Sequence, residues 1–269
     1  MQFGSNIFDR IIRKYLFIKG LIALPLIDKQ RCMDLIKTLK PWDTDLELIR
    51  LGSNIDGGYL VPNDLKDIEA CFSPGVGTES SFEKACFDYN MKLFLADASV
   101  DFPDLKGIKH NFIKKNVGVI SDNKTIRLDD WINSSKLEKN SDLLLQMDIE
   151  GDEYFSLINM SEDLLNRFRI IIIEFHNLDN MWFHDFHILL SYTFKKLLQN
   201  HTIVHLHPNN CCGMENRMGI QIPRVMEFTF LRNDRITNKR NKFTFPHHLD
   251  KDCIEQKPHM PLPKNWYIE

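Results

Sequence analysis

Six short apolar runs constrain the fold of this chain more than any other feature. They are Ala70-Cys-Phe-Ser73, Lys92-Leu-Phe-Leu-Ala96, Leu143-Leu-Leu-Gln-Met147, Ile170-Ile-Ile-Ile-Glu-Phe175, Ile203-Val-His-Leu-His207 and Met226-Glu-Phe-Thr-Phe-Leu231. Runs of this length, bounded by turn residues, are what strands buried on both faces look like. Segments with helical spacing separate them, over 80–90, 153–166 and 183–199. Strand alternating with helix predicts an α/β fold: a mostly parallel central sheet flanked by helices. Upstream, Ile7, Ile11, Ile12 and Leu16, then Met33, Leu35, Ile36 and Leu39, recur at helical intervals within residues 5–40. This divides the chain into an N-terminal helical extension, 1–48, and one domain, 49–269.

Open parallel sheets bind ligands beyond the carboxyl ends of their strands. Gly75 and Gly77 follow the first run, Asp97 the second, and Asp148 and Glu150 the third. Glu174 and His176 end the fourth, and His205, His207, Asn209 and Asn210 the fifth. One rim therefore collects glycines and hydrogen-bond acceptors. A Gly-x-Gly at a strand-to-helix turn lets a ligand approach the backbone and points amides at it. Alone, it is equally a plain tight turn. The third glycine of a dinucleotide fingerprint is absent, and no Gly-Lys-Ser/Thr follows to make a P-loop. Asp97 lies about twenty positions on, where an acid suits a ribose diol. A glycine turn with a ribose-binding acid, but without pyrophosphate chemistry, points to an adenosyl ligand such as S-adenosyl-L-methionine. In Asp148-Ile-Glu-Gly-Asp-Glu153, Asp148 closes a strand, Glu150 and Gly151 turn, and Glu153 opens a helix where its charge suits the dipole. A solvated acidic loop is the plain alternative there.

Taken together, these residues resemble the FkbM-like S-adenosylmethionine-dependent methyltransferases. The family pattern is Lys-x-Asp-x-Glu-Gly-x-Glu at a strand end, then a helix, then a strand ending in Glu-x-His. This chain has Gln146-Met-Asp-Ile-Glu-Gly-Asp-Glu153 and Glu174-Phe-His176. Asp56-Gly-Gly-Tyr59, Phe72-Ser-Pro-Gly-Val-Gly-Thr78 and Thr125-Ile-Arg-Leu-Asp-Asp-Trp131 are also similar, as are His205-Leu-His-Pro-Asn-Asn210, Pro223 and Glu227-Phe-Thr-Phe230. The resemblance runs over residues 50–231, with Gln146, Asp152 and Pro74 as departures. It implies a Rossmann-like class I methyltransferase domain. The cofactor would lie over Gly75, Val76, Gly77 and Thr78, beside Asp56, Gly57 and Asp148, with its ribose at Asp97 and Ala98. Gly118, Val119 and Asp130 would lie near the adenine. The implied reaction is O-methylation of a sugar hydroxyl, on a nucleotide-linked sugar or a surface-glycan precursor of polysaccharide biosynthesis.

Such a reaction needs a base beside the attacking hydroxyl, and a histidine titrating near neutrality suits that role. His176 with Asp148 is the first choice, and His205 and His207, on one face of a strand, are the others. Glu150, Glu174, Asn209 and Asn210 are the residues expected to meet the acceptor. Asp148, Glu174 and His176 also suit Mg²⁺ or Mn²⁺; hydrogen bonding of the two carboxylates to cofactor or substrate is the competing role. Histidines 110, 184, 187, 247 and 248 lack rim positions and read as structural or surface groups. A nicotinamide-dependent oxidoreductase and a non-catalytic cofactor-binding module are the rival functions.

Lys+Arg 34 against Asp+Glu 37 gives a net charge of -3, which argues against a nucleic-acid binder working by phosphate neutralisation. Six cysteines without a Cys-x-x-Cys pair suit neither a disulfide scaffold nor a zinc ribbon, and predict a cytoplasmic protein. The apolar stretch Tyr15 to Ile27 is interrupted by Lys19 and Pro25; it is too short to span a bilayer and lacks a small-residue cleavage site. It is expected to form an amphipathic helix that packs on the domain or on a partner subunit, giving a homodimer through the N-terminal helices.

Overall fold

The computed structural model describes residues 7–22, 24, 26–242 and 244–268. Residues 1–6 of the expected extension, and Pro25, lie outside the described residues. Seven strands make the central sheet: β1 (Ile68–Pro74), β2 (Lys92–Ala96), β3 (His110–Ile113), β4 (Asp142–Met147), β5 (Phe168–Phe175), β6 (His201–Pro208) and β7 (Met226–Arg232). Their spatial order is 3-2-1-4-5-7-6. Pairings from β3 through β5 are parallel, whereas β7 runs antiparallel to both β5 and β6. The order reverses between β1 and β4, which is where a sheet of this kind opens a crevice at its carboxyl rim.

The helices are α1 (Ile7–Ile18), α2 (Lys29–Thr38), α3 (Ser81–Asp88), α4 (Leu128–Ser134), α5 (Glu153–Asn159), α6 (Glu162–Leu165) and α7 (His184–Asn200). The helix expected over 153–166 is two helices. Met160 is extended, and the Ser161 hydroxyl caps α6 by accepting the Leu164 N–H. Strand β3 was not among the predicted runs. It is half-exposed and reads His-Asn-Phe-Ile, with no apolar block to mark it.

Side chains alternate across a strand. Leu143, Leu145 and Met147 of β4 and Ile171, Ile173 and Phe175 of β5 enter the larger core with α2, α4, α5 and α7. Leu144, Ile170 and Ile172 enter the other, beside α3 and the hairpin of Leu48–Gly52 with Gly58–Pro62. Carried on toward the rim, this second face presents Gln146 and Asp148 from one strand and Glu174 and His176 from the next. The site residues thus share a face because of strand periodicity alone.

Cys32, Ile36 and Leu39 of the α2 segment are fully buried in the larger core. Helix α1 differs: Ile7, Phe8 and Ile18 are 72%, 67% and 71% exposed, so among the described residues these side chains do not pack on the domain as expected. No helix among the described residues is long and apolar enough to cross a membrane. A disulfide joins neighbours Cys211 and Cys212 and so cross-links no two elements.

Candidate active site

A cavity of about 560 Å³ opens at the carboxyl rim where the strand order reverses, within the range of small-molecule pockets. The turn after β1 forms one wall. Gly75 has φ +85°, and a Cβ there would fall 1.5 Å from the Asp148 carbonyl oxygen. Only glycine lets the β1 and β4 ends approach so closely. Gly77 also has positive φ, but a Cβ there would meet nothing within 4 Å. Its N–H donates to Asp97 Oδ2 at 2.8 Å, while Asp97 Oδ1 accepts from the Ser99 N–H and hydroxyl. Three of the roughly four acceptor positions of a carboxylate are therefore used within the chain, and Asp97 lines the cavity.

Asp56, Gly57, Gly75, Val76, Gly77, Thr78, Asp97, Asp148 and Glu150 all line this cavity. Ala98 does not; Ser99 lines it instead. Asn116 and Val117 reach the cavity where Gly118 and Val119 were expected. Asp130 is not among the lining residues, and its carboxylate accepts from the Ser121 hydroxyl.

At the cavity edge, His176 is surrounded by carboxylates. Its Nδ1 lies 3.1 Å from Glu153 Oε1, and its Nε2 lies 3.5 Å from Glu150 and 3.8 Å from both Asp148 and Glu174. Glu153 is fully buried, and the same oxygen accepts the N–H groups of Ile149 and Gly151. One carboxylate thus shapes the acidic turn and fixes the imidazole, leaving Nε2 to face the other acids. Burial alone would lower the His176 pKa. The hydrogen bond and charge of Glu153, with Asp148 and Glu150, outweigh it and raise the value above the ordinary one. Asp148 is pushed up to about 7 by burial, with Glu150 and Glu153 adding to the rise against the opposing effect of His176. Its Oδ1 is buried without a hydrogen-bond partner. Burial holds Glu174 well above the carboxylate range, and the charge of Asp148 adds to it. Asp148, Glu174 and His176 can each offer one ligand atom, all within 4.8 Å of one another. Their carboxylate and imidazole donors fit a Mg²⁺ or Mn²⁺ ion.

Sequence reasoning missed two acids. Glu227 is the register partner of Glu174, and burial pushes it up to about 7. It lies near the start of an antiparallel strand, so a search of strand ends passes over it. Glu83, in the first turn of α3, is buried and lines the cavity beside Phe82 and Tyr59. Ser73 Oγ lies 2.5 Å from Glu83 Oε1 and 2.7 Å from Gln146 Oε1, while Gln146 Nε2 donates to the Tyr59 hydroxyl. A single hydroxyl hydrogen cannot serve two acceptors. With Gln146 in this orientation, the chain is complete when Glu83 carries a proton and donates to Ser73, and Ser73 donates to Gln146. Burial pushes Glu83 up to about 7, in the same direction. Its Oε2 is buried without a partner.

The remaining expected residues are drawn elsewhere. His205 Nε2 donates to Asp250 at 2.8 Å, and His207 Nε2 donates to the Lys251 carbonyl at 2.9 Å. Asn210 exchanges two hydrogen bonds with the Ile254 backbone. These three side chains fasten the C-terminal segment across the sheet instead of facing the cavity. Burial lowers His205 to about 4. Burial also acts against His207, but Asp250 and Glu227 raise it to about 9, so it is already protonated at neutral pH and cannot accept a further proton. Asn209 alone reaches the site, donating to Glu174 Oε1 at 3.0 Å.

Residues 68–200 match the family model described as the methyltransferase FkbM domain. That segment is recognised as an FkbM methyltransferase domain, as the motifs at 146–153 and 174–176 led us to expect, and the match supports methyltransferase activity in general. No curated protein matches the chain significantly.

Proposed function

We propose that this FkbM methyltransferase domain is a Rossmann-like class I enzyme that uses S-adenosyl-L-methionine to O-methylate a sugar hydroxyl, on a nucleotide-linked sugar or a glycan precursor. The observation that carries the reading is one rim: the Gly75–Gly77 turn clamped to Asp97, with Asp148 lining the same cavity and Glu174 and His176 beside Asp148. When bound, the cofactor supplies an electrophilic methyl group on a positively charged sulfonium. The cavity suits that charge, because Asp56, Asp148 and Glu150 line it and none of them makes an ion pair with lysine or arginine among the described residues.

His176 takes the hydroxyl proton at Nε2 as the oxygen attacks. Glu153 holds the Nδ1–H and so keeps Nε2 available. A positive charge beside Asp148 lowers the His176 pKa toward the neutral form that a base needs. Glu174 and Asn209 form a polar wall for an acceptor hydroxyl. In a second reading, favoured by the spacing of Asp148, Glu174 and His176, these residues hold Mg²⁺ or Mn²⁺. The ion would lower the acceptor hydroxyl's pKa in place of a side-chain base.

Calorimetry with S-adenosylhomocysteine, then a nucleotide-sugar panel with labelled S-adenosyl-L-methionine, tests the reading. Binding of a nicotinamide dinucleotide without response to S-adenosylhomocysteine would make the chain an oxidoreductase. Binding without turnover would make it a non-catalytic module, and exclusive methylation of protein or nucleic acid would remove the sugar. His176→Ala should cut turnover by roughly 10²–10⁴-fold while cofactor affinity stays nearly constant. If the residue is a metal ligand, chelator should produce a similar loss in wild type, and Mg²⁺ or Mn²⁺ should reverse it.

A further inference from the structure

We propose that helix α1 lies in the plane of an anionic lipid surface and holds the enzyme there, whatever the domain methylates. The observation is a helix most of whose apolar residues are exposed. Ile7, Phe8, Ile11, Ile12, Tyr15 and Ile18 cover about half the circumference of α1, and each is exposed. The apolar surface continues past the helix through Leu21, Ile22 (74% exposed) and Leu24. A soluble domain rarely leaves so large a contiguous apolar patch open. Among the described residues, the segment rejoins the body at Leu26, which bridges to Phe183, and Ile27, which is buried.

Charge decides what covers this face. Arg10 and Arg13 fall on the other side of the helix, which Phe17 shares, Lys14 lies at the edge of the apolar arc, and Lys19 follows the helix. Residues 1–27 carry four cations and one acid, so their net charge is +3 in a chain whose total is -3; residues 28–269 carry -6. The basic excess is concentrated on an element whose apolar face is open. Helices with an apolar face and a Lys/Arg-rich polar face bind in the membrane interface, where acyl chains take the former and anionic headgroups the latter. Pairing two copies would cover the apolar face but give the concentrated positive charge no counterpart. An anionic bilayer surface satisfies both. Helix α1 has 12 residues, too few to cross a bilayer but enough to lie along one.

The test is flotation of the purified full chain with vesicles of phosphatidylcholine alone or with phosphatidylglycerol added. The protein should float only with the anionic vesicles and be released by salt. Phe8→Glu with Ile11→Glu should abolish flotation. Arg10→Gln with Lys14→Gln should weaken it by roughly 25-fold, about five-fold per cation. Thermal unfolding of the variants should match wild type, because these side chains lie outside both cores. Failure to float with anionic vesicles, or flotation that survives both pairs of substitutions, would overturn the proposal. A dimer in sedimentation velocity that Phe8→Glu with Ile11→Glu dissociates would also overturn it, by giving the face to a second copy.

Discussion

Replacing Glu83 with glutamine should stabilise the protein above neutral pH and leave it nearly unchanged in acid. The carboxyl is 3% exposed, and burial moves it from an ordinary value of 4.5 up to about 7. A folded pKa above the unfolded one means that the native state binds the proton more tightly. Stability is then fullest below about 4.5 and declines as pH rises through about 7. The difference of about 2.5 pH units corresponds to a penalty on the order of 3 kcal/mol once Glu83 is ionised. Glutamine keeps the shape and offers Ser73 a permanent N–H donor, so the relay through Gln146 to Tyr59 survives without a titrating group. Urea unfolding of both proteins at pH 5, 6, 7 and 8 measures the effect. The variant's advantage should emerge between pH 5 and 8 and approach that size at the top. Other buried acids titrate over the same range, but they do so in both proteins and cancel in the difference. A difference independent of pH, or a wild type more stable at pH 8, would show that Glu83 stays ionised in the native state down to pH 5 and that the proton chain is wrong.

Three further outcomes follow from the same geometry. Gly75→Ala places a Cβ against the Asp148 carbonyl at a positive φ and should cost more than ~2 kcal/mol; Gly77→Ala, over open space, should fold and lose cofactor affinity, and an unchanged denaturation midpoint for Gly75→Ala would refute the close approach. Glu153→Gln keeps an acceptor for the Ile149 and Gly151 amides but removes the charge that raises His176, so the acid limb of the kcat/KM profile should move to lower pH; a limb that stays put would exclude His176 as the base. His207 is raised from 6.5 to about 9, so its contribution is full below 6.5 and is lost as pH rises through about 9. His207→Gln should therefore lose its stability deficit over that window, and urea midpoints showing a constant deficit would separate His207 from Asp250.

Much of the architecture was legible because strands buried on both faces must be apolar throughout. Strand β2 occupies the residues 92–96 that the sequence marks. Where that physical demand relaxes, the signal disappears. Strand β3 at the sheet edge is half-exposed, and its sequence resembles a loop. The alternation of His205 and His207 placed them correctly on one face, but the segment from 250 to 254 covers that face, and a contact across some 45 positions leaves no local mark. Glu83 looked like an ordinary first-turn acid of a helix, where its charge would suit the dipole. Its burial comes from α3 packing beside the 48–62 hairpin, which no run or spacing announces.

What the residue types could not reveal is which acids the fold neutralises. At the amino ends of β4 and β5, Asp142 pairs with Arg169 at 2.6 Å and Arg232 at 2.7 Å, and Asp64 pairs with Arg235 at 2.7 Å. At the carboxyl rim, Asp148 and Glu174 make no such pair with lysine or arginine among the described residues; their only ionic partner is His176. Both groups of acids are joined by the same strands. An acid kept for stability is served by an arginine, as the first rim demonstrates. Holding Asp148 near 7 and Glu174 well above the ordinary carboxylate value costs folding free energy that a neutral side chain would save. Such uncompensated acids mark a rim arranged for something the chain alone does not supply, and a positively charged ligand is the species that would relieve them. Cofactor binding should accordingly release protons near pH 7, and calorimetry in buffers of different ionisation enthalpy would detect that release. Binding with no proton release would mean that these carboxyls stay protonated in the complex, and the cationic-ligand argument would fail.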